Sequence, residues 1–438
     1  MIRRLNTADA RFHDQLDALL SWEARESAEV ARTAADIVAE VRVDGDAALT
    51  RLTRRHDALN VVSVEDLEVD PDELGRSLER LPVADRDALR LAADRIRTYH
   101  ERQPRGDFSY TDELGNVLGQ RTTPLDSVGV YIPGGQAAYP STVLMTVIPA
   151  RVAGVCKVVA TVPTPRGERN DHVLAAMAIA GVDRVFTIGG AQAIAALAFG
   201  TATVPRVDKI VGPGGVFVAA AKRLVFGPAG IDLIAGPSEI LVIADGSVDP
   251  RWTALDLLSQ AEHDSDAQAI LVSPDSGCLD QVQAAVDNLV DTLPRAGIVR
   301  QSLRERGALI EVRDLAEACE VANRIAPEHL ELAVQDPEAL LPTIRHAGAI
   351  FLGAHAAEVF GDYVAGPSHV LPTFGTARYA SPLGVPDFIK RTSIIGGHEA
   401  SVQGLARVAA NIADAEGLAA HGLAARARVA GYDDNRSS

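Results

Sequence analysis

Apolar positions along this 438-residue chain change rhythm twice. From Glu26 to Leu59 they recur with a period near 3.6, and Val83 to Arg102 repeats the trend, so roughly the first 120 residues predict mostly helices. From Ser127 the pattern turns to short β-branched runs separated by helical stretches: Val128 to Ile132, Lys157 to Val162, Arg184 to Ile188 and Lys209 to Val211, each followed by a turn rich in Gly and Pro. A second set opens with a strand from Ser238 to Asp245 and continues with Ala269 to Val272, Ala308 to Val312 and Ala349 to Leu352. Two alternating β–α sets predict an α/β protein with two Rossmann-like parallel-sheet domains, a helical N-terminal segment and an extended helical C-terminal tail. The expected divisions are an arm over 1–25, a first α/β domain from 26–126 with 236–381, a second from 127–235, and the tail from 382 to 438. The similar length and rhythm of the two sets suggest an internal duplication, though no residue-level repeat accompanies it.

After Pro382 the sheet pattern stops, and Ser401 to Ala430 reads as helical, with Val402, Leu405, Val408, Ile412, Leu418 and Leu423 as apolar positions and Gly417 as a break. That stripe must be covered, by the same subunit or by a partner. The last residues, G-Y-D-D-N-R-S-S, read as a frayed end.

Composition narrows the function classes. Charge is 42 minus 59, or −17, which repels a phosphate backbone, and no basic stripe interleaved with aromatics offsets it, so nucleic acid is excluded as a partner. No apolar run of about 18 residues suggests a membrane span, and M-I-R-R-L-N-T-A-D-A lacks the apolar core of a signal peptide, so a cytoplasmic protein is expected. Cys156, Cys278 and Cys319 lack C-x-x-C spacing and read as reduced thiols, with Cys156 a core residue in the apolar run A-G-V-C-K-V-V-A.

Seven of the eleven histidines lie between His263 and His421, which concentrates the candidate chemistry in the C-terminal half. Asp249 as N-cap and Pro250 at the first turn open a helix that carries D-L-L-S-Q-A-E-H-D, placing Gln260 and His263 on one face. They could share a metal, but Gln is a rare zinc ligand and a solvated helix end explains the pair equally well. Glu328 and His329 follow Pro327 in A-P-E-H-L-E-L, and a helix first turn there would keep the imidazole neutral and competent as a base; simple capping is the alternative. Asp362, Ser368 and His369 fall in a Gly- and Pro-rich segment from Gly361 to Thr373, a loop composition that fixes side chains or merely makes a turn. His421 alone reads as an exposed helical histidine. Ser238 and Glu239 close A-G-P-S-E just before a strand. Y-I-P-G-G (Tyr131 to Gly135), I-G-G-A-Q (ending at Gln192) and G-P-G-G (ending at Gly215) each follow a strand of the second domain, where open α/β sheets bind ligands. None is a G-x-G-x-x-G fingerprint.

Taken together, I-D-L-I-A-G-P-S-E-I-L-V-I-A-D, L-L-S-Q-A-E-H-D, A-P-E-H-L-E-L, G-D-Y-V-A-G-P-S-H-V-L-P-T and E-G-L-A-A-H resemble histidinol dehydrogenase over nearly the whole chain. The resemblance implies zinc-dependent oxidation of L-histidinol to L-histidine with two NAD, through bound histidinaldehyde, in the last steps of histidine biosynthesis. It implies zinc ligands at Gln260, His263, Asp362 and His421, with His329 as base and Glu328 activating the water that attacks the aldehyde. Substrate contacts implied are Ser238, His369 and Glu416 besides His329 and the metal ligands. Nucleotide contacts fall on Tyr131, Gln192 and Gly215, the last departing from the Asn usual in the family. A homodimer is also implied, its tails exchanged so that Glu416 and His421 complete the partner's site. The rival reading from the residues is a zinc-dependent hydrolase, since the same donor set could activate water; absence of NAD dependence would favour it. A binding protein without turnover is the non-enzymatic rival, and other alcohol or aldehyde oxidisers would show a Rossmann fingerprint or a loop cysteine.

Overall fold

The computed structural model describes residues 2–21, 28–134 and 138–429. Gly135, the N-terminal arm's residues 22–25, Glu26 and the chain beyond residue 429 lie outside the described residues. The strands among those described are β1 (Arg3–Asn6), β2 (Phe108–Thr111), β3 (Val117–Pro124), β4 (Ser127–Tyr131), β5 (Lys157–Thr161), β6 (Arg184–Phe186), β7 (Lys209–Val211), β8 (Gly230–Ile231), β9 (Glu239–Ala244), β10 (Gln268–Ser273), β11 (Ala308–Glu311), β12 (His329–Ala333), β13 (Ala349–Leu352) and β14 (Ile389–Gly396).

The chain divides into two compact units, Met1–Gln103 with Leu125–Phe388, and Pro104–Pro124 with Ile389–Ser438. The first holds two parallel sheets, ordered β1-β11-β10-β9-β12-β13 and β6-β5-β4-β7-β8. Apart from the edge strand β1, both follow one winding scheme: the first strand is central, the next two extend to one side and the last two to the other. The α/β class with two Rossmann-like sheets therefore stands, and the shared strand order is the physical content of the duplicated rhythm.

Alternation along β9 explains why that strand is buried on both faces. Ile240, Val242 and Ala244 enter one core with Leu257, Leu258, Leu279 and Leu303, while Leu241 and Ile243 enter the opposite core with Leu16, Leu19, Val321 and Ile325. The second sheet packs Val159, Phe186 and Ile210 against the N-terminal helices Ala28–Asp44 and Asp46–His56 through Ile37, Val41, Leu49 and Leu52. At the carboxyl edge of the first sheet the turns after β9, β10, β11 and β12 each end in a capping aspartate: Asp249 accepts from Arg251 N, Asp275 from Gly277 N, Asp314 from Glu317 N and Asp336 from Ala339 N.

Three expectations are corrected. The N-terminal stretch is not only helical, because β1 pairs with β11 and β2 with β3. The sheet pattern does not stop after Pro382, because β14 pairs antiparallel with β3 over eight residue pairs in the second unit. I-K-R-T-S-I-I-G lacks two-residue alternation and most of it is exposed, so burial left no sequence signal. Cys156 is exposed, not core, since it precedes β5 at the surface. In the tail, helices Glu399–Ala415 and Ala419–Arg426 flank Gly417, whose φ of 73° is the expected break. No helix among the described residues is long and apolar enough to cross a membrane.

Candidate active site

Helix Leu315–Ile325 ends at Ala326 in the left-handed region (φ 54°), and after Pro327 and Glu328 the chain enters β12 at His329, so Glu328 immediately precedes and His329 begins a central strand instead of a helix. His329 sits between Ile240 of β9 and Ala349 of β13, and both side chains are buried. The alternation H-L-E-L was a strand signal that the proline obscured, and the helix-dipole argument for a neutral imidazole falls with the helix. The tautomer is fixed differently: Nδ1 of His329 donates to the Glu239 carbonyl at 2.9 Å, which leaves Nε2 facing Asp362 Oδ1 at 3.7 Å and Glu358 Oε1 at 4.0 Å. Burial works to lower the imidazole pKa, but the carboxylates of Glu328, Asp362 and Glu358 overcome it and raise the pKa to about 10. Glu328 accepts the Glu239 N–H at 2.8 Å, and burial pushes its carboxyl up to about 8.

Gln260 lies in the last turn of helix Pro250–Ala261, whereas His263 is two residues past the helix end, its N–H donating to the Gln260 carbonyl at 3.2 Å. The pair is therefore brought together by a turn and does not share a helical face. Asp362 also departs from expectation, since it stands on the short helix Glu358–Tyr363 instead of in a loop. His263, Glu358 and Asp362 bring ligand atoms within 4.8 Å of one another. Gln260 is fully buried with neither amide atom hydrogen-bonded among the described residues, and Glu358 Oε1 is likewise without a partner. Buried polar atoms are seldom left this way, because each costs about 1–3 kcal/mol. An imidazole and two carboxylates within 4.8 Å of one another, with a buried amide three residues before the imidazole that makes no hydrogen bond, suit a divalent cation that accepts N and O ligands.

Glu358 was missed by the sequence reading, although its spacing from Asp362 (i, i+4 in E-V-F-G-D-Y) is the signal for a shared helical face. Its Oε2 accepts from Ser259 at 3.2 Å, and its N–H donates to Glu331 Oε1 at 2.7 Å.

His369 lies beside this group, with Nδ1 at 3.1 Å from the Asp362 carbonyl and Nε2 at 3.2 Å from Thr142 Oγ1. Burial lowers its pKa. Ser238 immediately precedes β9 and is half-buried. Glu416 and His421 are exposed residues of the second unit, Glu416 as C-cap of helix Glu399–Ala415 and His421 within Ala419–Arg426. The same helices expose Leu405, Val408, Ile412, Leu418 and Leu423.

At the second sheet Tyr131 ends β4, and its hydroxyl accepts from Gly190 N–H at 3.1 Å; buried Gln192 follows one turn into the same helix. β4 and β7 flank the point where the winding reverses, the usual crevice for a ligand. There the backbones approach closely, since a Cβ on Gly212 (φ 112°) would lie 2.2 Å from the Tyr131 carbonyl oxygen. Gly215 N-caps helix Val216–Val225 at the surface. A cavity of about 330 Å³ opens beyond β4 to β6, lined by Pro133, Gly134, Pro163, Thr164, Arg169 and Asn170.

Chemistry therefore gathers at the amino ends of β9 and β12 in one sheet and ligand space at the carboxyl ends in the other. The family profile described as histidinol dehydrogenase matches residues 20–429. The chain is 60% identical to histidinol dehydrogenase of Pseudomonas fluorescens (strain Pf0-1), covering 98% of this chain and 97% of that one, and 60% identical to that of Pseudomonas aeruginosa with the same coverage. The crystal structure of histidinol dehydrogenase from Elizabethkingia anophelis superposes with a TM-score of 0.91 at 32% identity, covering 98% of both chains. With the site's donor set and a match over nearly the full length, the chain belongs to the histidinol dehydrogenase family of oxidoreductases of histidine biosynthesis.

Proposed function

We propose that the protein oxidises L-histidinol to L-histidine through histidinaldehyde, with one zinc ion and two NAD per turnover. The observation that carries this reading is the cluster of His263, Glu358 and Asp362 facing buried His329, with the buried Gln260 amide, three residues before His263, left without a hydrogen bond. Gln260, His263 and Asp362 would hold the zinc, with His421 of a second copy as the remaining ligand. The exposed apolar residues of the tail helices support a homodimer that exchanges its tails. Tyr131, Gln192 and Gly215 would contact NAD at the second sheet. When bound, zinc fixes the substrate through nitrogen ligation and NAD accepts a hydride in each half-reaction.

Ser238, His369 and Glu416 would orient the substrate around that point. A cation held at Asp362 and Glu358 would offset part of the carboxylate field at His329, and His329 Nε2, the ring nitrogen not engaged by Glu239, would accept the alcohol proton. The Glu239 carbonyl holds Nδ1–H throughout, so the accepting nitrogen does not change. Glu328, whose carboxyl is pushed up to about 8 by burial, would act in its carboxylate form, taking a proton from the water that attacks the aldehyde while the second hydride passes to the second NAD.

The test is NADH formed per L-histidinol consumed, before and after zinc is stripped and restored. Two NADH, lost with zinc and regained with it, is expected; no NADH under any condition would move the reading to a zinc hydrolase. Glu328→Gln should arrest the reaction at the aldehyde, giving one NADH per substrate and an aldehyde that a carbonyl trap captures. Two NADH from that variant would remove Glu328 from the second step.

Gly215 gives a further expectation. Its φ is −66° and a Cβ there meets nothing within 4 Å, so Gly215→Asn fits without strain. One added hydrogen bond should lower the Kd for NAD by about 2- to 12-fold, read by calorimetry. An unchanged Kd would show that the side chain at this position does not reach the nucleotide.

A further inference from the structure

We infer that Glu239 is a positioning residue for both catalytic side chains: its carboxylate ties the entry of β9 to the turn at Phe374, and its own peptide groups hold Glu328 and His329. The inference rests on the reading of Glu328 and His329 as the catalytic pair.

The geometry is unusually economical. The Glu239 N–H donates to Glu328 Oε2 at 2.8 Å, and the Glu239 carbonyl accepts from His329 Nδ1 at 2.9 Å. One residue's backbone thus sets the direction of the acid and the tautomer of the base. That residue is the first of β9, where the ladder is just beginning: Glu239 registers with Gln268 on one side, and His329 registers with the next residue, Ile240. A strand's terminal residue frays unless something other than the ladder holds it.

The tie is the side chain. Glu239 is buried at 3% exposure, and its Oε1 accepts the Phe374 N–H at 2.8 Å. A companion bond runs from Gly236 N–H to Thr373 Oγ1 at 2.7 Å. Phe374 has a φ of 57°, a strained value for an aromatic residue that persists only where its surroundings hold it. Its ring fills the space a Cβ on Gly236 would need, at 2.2 Å, so the turn and the strand entry interlock.

Packing alone would not keep this register. A cavity of about 380 Å³ adjoins Glu239, lined also by Gln268, Arg324, Phe374, Thr376 and Arg378. With open volume beside it, the peptide at 239 is free to shift once the carboxylate tie is cut, and both catalytic side chains shift with it.

The experiment compares Glu239→Gln, Glu239→Leu and the control His329→Ala as full-length zinc-loaded enzyme, measuring kcat and KM for L-histidinol, zinc content and melting temperature. Glu239→Gln keeps an acceptor oxygen and should stay near the parent kcat, whereas Glu239→Leu should lose about 10²-fold in kcat, the scale of an ångström-level misplacement, with KM and zinc content held. Rescue by glutamine together with a kcat loss at constant KM separates positioning from general destabilisation. Parent kcat in Glu239→Leu would overturn the inference, as would a loss in Glu239→Gln equal to that of Glu239→Leu, or a loss that follows zinc content. If Glu239→Leu does not fold, Glu239→Asp takes its place: one methylene shorter, it cannot reach Phe374 and should show the same fall, and parent kcat there would overturn the inference equally. Full activity in His329→Ala would instead sink the catalytic-pair reading, whereas an inactive His329→Ala beside a fully active Glu239→Leu sinks this inference alone.

Discussion

Replacing His329 with alanine lowers the rate of L-histidinol oxidation by about 10²- to 10⁴-fold, the contribution of a positioned general base, and leaves zinc bound. The two halves of that expectation come from different parts of the site. The base loss follows from Nε2 being the ring nitrogen turned toward Asp362 and Glu358 while Nδ1 is engaged by Glu239. Zinc retention is expected because none of Gln260, His263 and Asp362 lies on β12: Gln260 is on helix Pro250–Ala261, His263 in the turn after it and Asp362 on helix Glu358–Tyr363. NADH formation and metal content on the same sample read both. Full activity in the variant would remove His329 as the base; loss of zinc with activity would make it part of the metal site.

Replacing His263 with alanine removes zinc first and activity as a result. Loss of an outer-shell partner of a metal ligand already costs about 10- to 100-fold in affinity, so loss of a direct imidazole ligand should cost more than about 10²-fold. Asp362, Glu358 and the Gln260 amide would remain, leaving an acid-rich cluster with one imidazole fewer. Metal content after dialysis against a graded chelator series gives the affinity, and NADH formation at saturating zinc shows how far activity returns. A variant that keeps zinc through the same series would exclude His263 from the ligand set.

The strand framework was legible because it is a matter of burial. Every strand of the two parallel sheets that carries β-branched residues on a buried face, such as β9 and β10, left a continuous apolar run in the sequence. β12 escaped because its buried positions include the polar residues His329 and Glu331, which break the apolar run. β14 escaped for the opposite reason, being exposed along most of its length. At the site, residue types were readable but their supports were not. Gln260 with His263, and Glu328 with His329, are close in sequence, yet the turn and strand that hold them differ from the helix positions the spacing suggested. Glu358 became visible only once the fold set it 4.0 Å from His329, and Glu239, singled out in the sequence as the carboxylate before a strand, gained a place in the site only through its carbonyl 2.9 Å from the same ring. The roles of Glu416 and His421 came from resemblance, since an exposed helical Glu or His carries no local signal of its own.

The four capping aspartates have a consequence for how this enzyme can change. The residues proposed for turnover lie at the amino ends of β9 and β12, whereas Asp249, Asp275, Asp314 and Asp336 on the opposite rim of that sheet cap helix starts. The two rims answer to separate demands: one is constrained by the geometry of the proposed site, the other, outside the connection from β13 to helix Glu358–Tyr363, by the need to begin four helices. Sequence drift, loop lengthening or fusion of another domain can accumulate on the capped rim without disturbing the reactive one, which makes it the natural place for lineages, and for engineers, to add to the protein.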